Sequence, residues 1–136
     1  MKNFIVCTHG PTAAAMLTSV KMIAGDQPYI KSICFKDGED LKQLKKDLQV
    51  ACNQFENKDI GFLVDVQGGT PFNTIVQMID QYPNSYLITG VNIPMLLEIA
   101  VNRGDELSIN HLQKIATNAI KCFNGVLTTN SEDEEF

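Results

Sequence analysis

Short apolar runs alternate along the chain with longer segments in which apolar residues recur every three or four positions. The short runs predict β-strands and the longer segments predict amphipathic helices. The predicted strands are Phe4–Thr8, Tyr29–Phe35, Ile60–Asp65, Ser85–Thr89 and a short final strand at Val126–Thr129. The predicted helices are Pro11–Ala24, Glu39–Glu56, Pro71–Gln81, Pro94–Asn102 and a last helix with Ser108 as its N-cap.

The helical spacing also predicts which side chains face the core. Three apolar stripes are expected: Ala13, Leu17 and Val20; Leu41, Leu44, Leu48, Cys52 and Phe55; and Leu112, Ile115, Ala119 and Phe123.

Alternating strands and helices predict an α/β fold, a doubly wound and mainly parallel sheet with helices on both faces. One domain is expected over residues 1–129, and the acidic segment 130–136 is expected to be a flexible tail. In such folds the site lies beyond the carboxyl ends of the strands, where the winding direction reverses.

Composition narrows the class of protein. The 136 residues carry a net charge of −5, which argues against a nucleic-acid partner. No apolar run approaches the roughly 18 residues of a membrane span, and the amino end does not have the pattern of a secretory signal. The four cysteines form no CxxC pair, so reduced thiols in a cytoplasmic protein are expected. Cys7 and His9 lack further ligands at metal spacing, and neither a metal nor a cofactor is predicted.

The first candidate site segment is Cys-Thr-His-Gly at the end of the first strand. His9 lies at the carboxyl end of the strand, and Gly10 permits a tight turn. Pro11 suits the first helical position because it has no N–H to satisfy. The amino end of the following helix, which favours an anion, therefore opens beside His9.

The second segment follows the third strand and reads Asp-Val-Gln-Gly-Gly-Thr-Pro-Phe-Asn. Asp65 occupies the strand end, and Gly68 and Gly69 let the backbone approach a ligand. Thr70 can cap the next helix, with Pro71 at its first position. If the first and third strands are neighbours, about 4.8 Å apart, Asp65 can reach the His9 ring.

These residues suit phosphohistidine chemistry. Neutral His9 would be the nucleophile, and a carboxylate on its other nitrogen would fix the tautomer. Gly10, Gly68, Gly69, Thr70 and the two helix starts would surround the phosphoryl oxygens. Taken singly, each residue also fits a plain reading: His9 as a loop residue, Asp65 as a loop cap, Gly-Gly-Thr-Pro as a turn. Their convergence on one crevice favours the functional interpretation.

Two other features lie outside these two segments. Asn92, Pro94 and Met95 follow the fourth strand, which makes them either a simple helix start or a site wall or partner surface. His111 falls in the first turn of the last helix and is expected to be a surface residue.

At these residues the chain resembles the IIA domain of the mannose family of the bacterial phosphoenolpyruvate-dependent sugar phosphotransferase system. The matching segments are IVCTHG, FLVDVQGGTPFN and ITGVNIPMLLE. The resemblance implies that His9 is phosphorylated, that Asp65 orients it and that Thr70 lies at the phosphoryl group. It also implies that HPr donates the phosphoryl group and that a IIB component accepts it. The sugar would be bound by the membrane permease components. A homodimer in which Val126–Thr129 crosses between subunits is implied as well.

The chain departs from the family pattern at Gln67, where some relatives have an aromatic residue, and it ends without a IIB domain, so a separate acceptor is expected. Three alternatives stay open: a regulatory phosphoacceptor module, the phosphocarrier of dihydroxyacetone kinase, and a small-anion binding module.

Overall fold

The computed structural model describes residues 2–103 and 107–125. Within them the strands are β1 (Asn3–His9), β2 (Ile30–Phe35), β3 (Ile60–Val64) and β4 (Tyr86–Thr89). The helices are α1 (Thr12–Ala24), α2 (Leu41–Asn53), α3 (Thr70–Met78), α4 (Ile93–Val101) and α5 (Ile109–Asn118), with a short 3₁₀ turn at Ile79–Gln81. The predicted strand Val126–Thr129 and the tail 130–136 lie outside the described residues.

The four strands form one parallel sheet in the order β2-β1-β3-β4. The predicted α/β class and doubly wound parallel sheet are therefore confirmed. The first crossover leads from β1 to β2 on one side, and the next returns past β1 to β3. The winding direction consequently reverses between β1 and β3, and a site is expected at their carboxyl ends.

The sheet separates two hydrophobic cores. Alternate β1 side chains point to opposite faces: Phe4 and Val6 belong to one core, and Ile5 and Cys7 to the other. Helices α1, α4 and α5 cover the first face, while α2 and α3 cover the second. The central strands are buried on both faces, which explains why β1 and β3 read as continuous apolar runs rather than alternating ones.

Two of the predicted helix faces need correction. Leu41 is 57% exposed, because it is the first residue of α2 and the helix meets the sheet only from Leu44 onward. In the last helix Leu112 is buried, but Ala119 is the C-cap and is exposed. Phe123 lies beyond the helix end and is 67% exposed. The apolar spacing continues past Asn118, yet the chain has left the helix and no longer packs there on the described core.

The described cysteines are all free thiols, of which Cys7 and Cys52 are buried. Burial raises the pKa of Cys7 to about 12, so its thiol stays protonated near neutral pH. None of the helices within the described ranges has the length and apolar character that crossing a membrane requires.

Candidate functional site

His9 and Asp65 meet where β1 and β3 end. The two strands pair in parallel up to Cys7 and Val64, so the residues that follow emerge side by side. Asp65 Oδ2 lies 2.9 Å from Nδ1 of the His9 ring. The same oxygen accepts a hydrogen bond of 3.0 Å from the backbone N–H of His9. Both the ring and the main chain of His9 are therefore held by one carboxylate oxygen.

Asp65 also determines the tautomer of His9. Partial burial raises the pKa of the Asp65 carboxyl, but the hydrogen bonds from the His9 ring and from the His9 backbone outweigh it and lower the pKa overall. The second oxygen accepts from the N–H of Val66 at 3.1 Å. Because an ionised carboxylate can only accept, Nδ1 must carry the proton that it donates to Asp65. Neutral His9 then has its lone pair on Nε2.

The His9 ring is held between an aromatic ring and a glycine. Phe35 on β2 contacts it edge-on, with ring centroids 6.0 Å apart and an interplanar angle of 76°. On the Nε2 side, a Cβ on Gly69 would lie 2.7 Å from Cε1 and 3.3 Å from Nε2 of His9. Gly69 has an ordinary φ of −74°, so glycine is required there for space and not for backbone conformation. The His9 side chain still keeps 45% of its surface exposed, so a reactant can approach the ring.

The amino end of α1 lies beside His9 and is capped from the preceding strand. The hydroxyl of Thr8, which is fully buried, accepts a hydrogen bond of 2.7 Å from the N–H of Ala13. Pro11 occupies the N-cap position and not the first helical position as predicted. Gly10 has a φ of +60° and donates its N–H to the Phe35 carbonyl at 2.8 Å. Thr8 and Phe35 were not predicted as site residues; a hydroxyl inside an apolar strand was the available signal for Thr8.

The amino end of α3 reaches the site from the other face of the sheet. Gly69 is the N-cap and Thr70 the first helical residue, which corrects the prediction that the Thr70 side chain caps the helix. Gly68 has a φ of +79°, a conformation that favours glycine. The N–H groups of Gly69, Thr70 and Phe72 donate to no other residue within the described ranges. They are thus available to an anion at the amino end of α3, where Gly69 adjoins the His9 ring.

The segment after β4 supports Asp65 through its backbone. The N–H of Gly90 donates to the Asp65 carbonyl at 3.1 Å. Asn92 caps α4 by accepting from the N–H of Met95 at 3.0 Å, and its amide donates to the Ala116 carbonyl of α5 at 3.0 Å. Pro94 lies in the first turn of α4 and is half-buried.

Met95 is only 1% exposed and packs in the core, so it cannot line a partner surface. For Asn92 and Pro94 the role of site wall stays a prediction. His111 is a surface residue, as expected, with its Nε2 3.0 Å from Glu98 Oε1.

The fold and the site define a doubly wound α/β protein with a histidine–carboxylate pair at the switch point of its sheet. Residues 3–126 match the family model EIIA-man, described as the PTS system fructose IIA component. The chain belongs to this family, and the resemblance found in the sequence is thereby confirmed.

Several relatives support the assignment. The chain is 33% identical over 113 residues to the PTS system mannose-specific EIIAB component of Escherichia coli (strain K12), a match that covers 82% of this chain and 35% of that protein. It therefore spans about a third of the length of that relative. The match to the PTS system sorbose-specific EIIA component of Klebsiella pneumoniae is 31% identical over 121 residues and covers 86% and 88% of the two chains.

Among solved structures, the mannose/sorbose specific IIA subunit of the phosphotransferase system from Enterococcus faecalis superimposes with a TM-score of 0.80. The sequences are 25% identical, and the match covers 95% of this chain and all of that one. The similarity to a single IIA subunit thus extends over nearly the whole fold described above.

Proposed function

We propose that this chain accepts a phosphoryl group from phosphorylated HPr on Nε2 of His9 and passes it to a separate IIB component in the cytoplasm. The group would then reach a sugar through the membrane permease components of the system. The observation that carries the proposal is the hydrogen bond from His9 Nδ1 to an ionised Asp65, because it leaves the lone pair of the neutral ring on Nε2, the atom that would attack phosphorus.

The transfer needs no cofactor. The Nε2 lone pair attacks phosphorus, the bond between phosphorus and HPr breaks, and its electron pair returns to HPr. The His9 ring becomes a cation with the phosphoryl group on Nε2 and the proton on Nδ1. Asp65, 2.9 Å from Nδ1, stabilises that positive charge. Transfer to IIB repeats the step in reverse, with IIB supplying the nucleophile.

The phosphoryl oxygens would be stabilised mainly by the chain's backbone. The amides of Gly69, Thr70 and Phe72 are available at the amino end of α3, and the α1 amino end adds its positive dipole. Gly10 and Gly68 give the two loops their tight turns, and the Thr70 hydroxyl is not used as a helix cap. Such pre-arranged donors suit a transition state whose charge lies on the transferring oxygens.

The assembly is also a proposal. Residues 1–129 form the single phosphotransfer domain, and two copies form a homodimer through the C-terminal segment. Asn92 and Pro94, at the half-buried start of α4, are proposed to adjoin the face that HPr and IIB approach.

Incubation with phosphorylated HPr followed by mass measurement tests the proposal. Wild-type protein should gain one acid-labile phosphoryl group and lose it to IIB. His9→Ala should gain none and still fold, because the His9 side chain is 45% exposed and contributes little to the core. His111→Ala is the matched control and should behave as wild type.

Other outcomes separate the alternatives. Phosphorylation of His9→Ala by HPr would contradict the assignment of the nucleophile. Phosphorylated wild-type protein that passes nothing to IIB would favour a regulatory module or a dihydroxyacetone-kinase phosphocarrier. A protein that binds inorganic phosphate but gains no covalent group would be an anion-binding module.

A further inference from the structure

Asn73, in the first turn and a half of α3, is bonded to both glycines of the loop beside His9. Its side-chain amide donates to the Gly68 carbonyl at 3.0 Å. Its backbone N–H donates to the Gly69 carbonyl at 2.9 Å. The Asn73 side chain is exposed, so its contribution to the structure comes from these hydrogen bonds and not from burial in the core.

The glycine loop needs such a restraint. Two successive glycines have more conformational freedom than any other pair of residues, and Gly68 already occupies a positive φ of +79°. The N-cap of α3 is Gly69, which has no side chain with which to cap the helix, and Thr70 provides no side-chain cap. No side chain at the N-cap fixes this loop, and the Asn73 amide restrains it instead by donating to the Gly68 carbonyl.

The position of this loop matters because it touches the His9 ring. The missing Cβ of Gly69 would lie 3.3 Å from Nε2, so the Gly69 backbone forms one wall of the space in which phosphorus must sit. A small movement of Gly68 and Gly69 changes where the free amides of Gly69 and Thr70 point. Donors to a transferring phosphoryl group act through their placement, so such a movement is expected to slow transfer.

We propose that Asn73 is a positioning residue for phosphoryl transfer: it holds the Gly68–Gly69 backbone against Nε2 of His9 without touching the reacting atoms. The inference rests on the proposed function, since it concerns the rate of transfer to His9.

The test compares Asn73→Ala, Asn73→Asp and the control Gln77→Ala. Asp has the shape of Asn, but its ionised carboxylate cannot donate to the Gly68 carbonyl. Gln77 is an exposed amide on α3 one turn further along and lies in the same groove between α2 and α3 as Asn73. The readout is the rate of phosphoryl acceptance against the concentration of phosphorylated HPr.

Both Asn73 variants should accept phosphoryl about tenfold more slowly at saturating HPr, the effect expected when displaced loop amides weaken about one hydrogen bond to the transferring oxygens. The HPr concentration giving half the maximal rate should stay unchanged, and His9 should still become fully phosphorylated at long times. Asn73→Asp should unfold at the same or higher temperature than wild type, because a negative charge near a helix amino end is stabilising. Slower transfer without lower stability is not expected from a residue with a merely structural role.

Two results would overturn the inference. One is a wild-type rate for Asn73→Ala, even if Asn73→Asp is slow, since the added charge alone would then explain the slower variant. The other is an equally slow rate of phosphoryl acceptance in Gln77→Ala, which would mean that any change in the groove between α2 and α3 slows transfer. A wild-type protein that accepts no phosphoryl group from HPr would instead refute the proposed function.

Discussion

At the scale of single residues, Asp65 is the residue whose removal should affect transfer most after His9. One of its oxygens accepts from both the ring and the backbone of His9, at 2.9 and 3.0 Å. Asp65→Asn keeps the shape but removes the charge that stabilises the ring cation, and its amide can present a donor to Nδ1. We expect transfer from phosphorylated HPr to slow by about two to four powers of ten.

The measurement is the single-turnover rate of phosphoryl acceptance. Asp26→Asn, at an exposed carboxylate that pairs with Lys21, is the control and should keep the wild-type rate. A wild-type rate for Asp65→Asn would mean that Asp65 merely caps its loop.

The same variant has a second readout in the pH dependence of stability. The pKa of Asp65 is lower in the folded chain than its ordinary value, so the ionised group stabilises the fold above the unfolded pKa of about 3.9. That contribution is lost as the pH falls through the folded pKa. Denaturant unfolding between about pH 3 and pH 6 should therefore show a shallower loss of stability in acid for Asp65→Asn than for wild type. An identical loss of stability at acid pH in the two proteins would contradict the lowered pKa of Asp65.

The residues that could be predicted from the sequence share one property. His9 is the last residue of β1, and Asp65, Gly68 and Gly69 lie in the loop that follows β3; parallel strands bring their carboxyl ends together. Hydrogen bonds between side chain and backbone were not predictable in this way. The Thr8 bond to Ala13 and the Asn73 bond to Gly68 depend on how each loop turns, and that path is not encoded in spacing.

At the scale of elements, the position of α1 depends on a cap supplied by β1. The buried Thr8 hydroxyl accepts from Ala13, one of the first helical N–H groups. Thr8→Val keeps the volume but leaves that buried N–H without a partner, so we expect a loss of about 1–2 kcal/mol of unfolding free energy. Thermal or denaturant unfolding measures it. Thr18→Val, at an exposed hydroxyl on the same helix, is the control and should change stability little. Equal effects in the two variants would show that the cap is not stabilising.

The helices and strands themselves were predictable because apolar residues recur along them at regular spacings or in short continuous runs. Each described strand and helix lies within a few residues of its predicted bounds. The errors fall at helix ends: apolar spacing runs on through Leu41 and Phe123, although neither is covered by the described core. Periodicity identifies which residues share a face, but only the packed structure determines how far along that face a neighbour reaches.

At the scale of the whole molecule, we predict a homodimer that depends on the C-terminal segment. The sequence places a short apolar run, Gly125 to Leu127, after the last helix, too short to be stable as a free edge strand. A chain cut after Phe123 should scatter as a monomer or be unstable. A chain cut after Asn130, which loses only the acidic end, should remain a dimer. An unchanged dimer in the first variant would refute strand exchange.

More of the fold of one chain than of its assembly into a dimer could be predicted from the sequence. Alternating strands and helices sufficed for a doubly wound parallel sheet, since few other arrangements cover both faces of such strands. Whether β1 and β3 are neighbours was left conditional, and the order β2-β1-β3-β4 shows that they are. A subunit interface leaves no comparable repeating pattern in the sequence, because it requires only that two surfaces fit.

The pairing of β1 with β3 also affects when the protein becomes active during its own synthesis and folding. His9 and Asp65 are 56 residues apart in the sequence and come together only when the third strand docks beside the first. Such a distant contact forms late, because closing a long loop costs entropy before the contact stabilises it. A nascent chain that contains His9 but not yet β3 lacks Asp65 and the α3 amides that we propose to bind the phosphoryl group. Under the proposed function, incomplete or misfolded copies should therefore not take phosphoryl groups from HPr, and phosphorylation of His9 would report correctly folded protein.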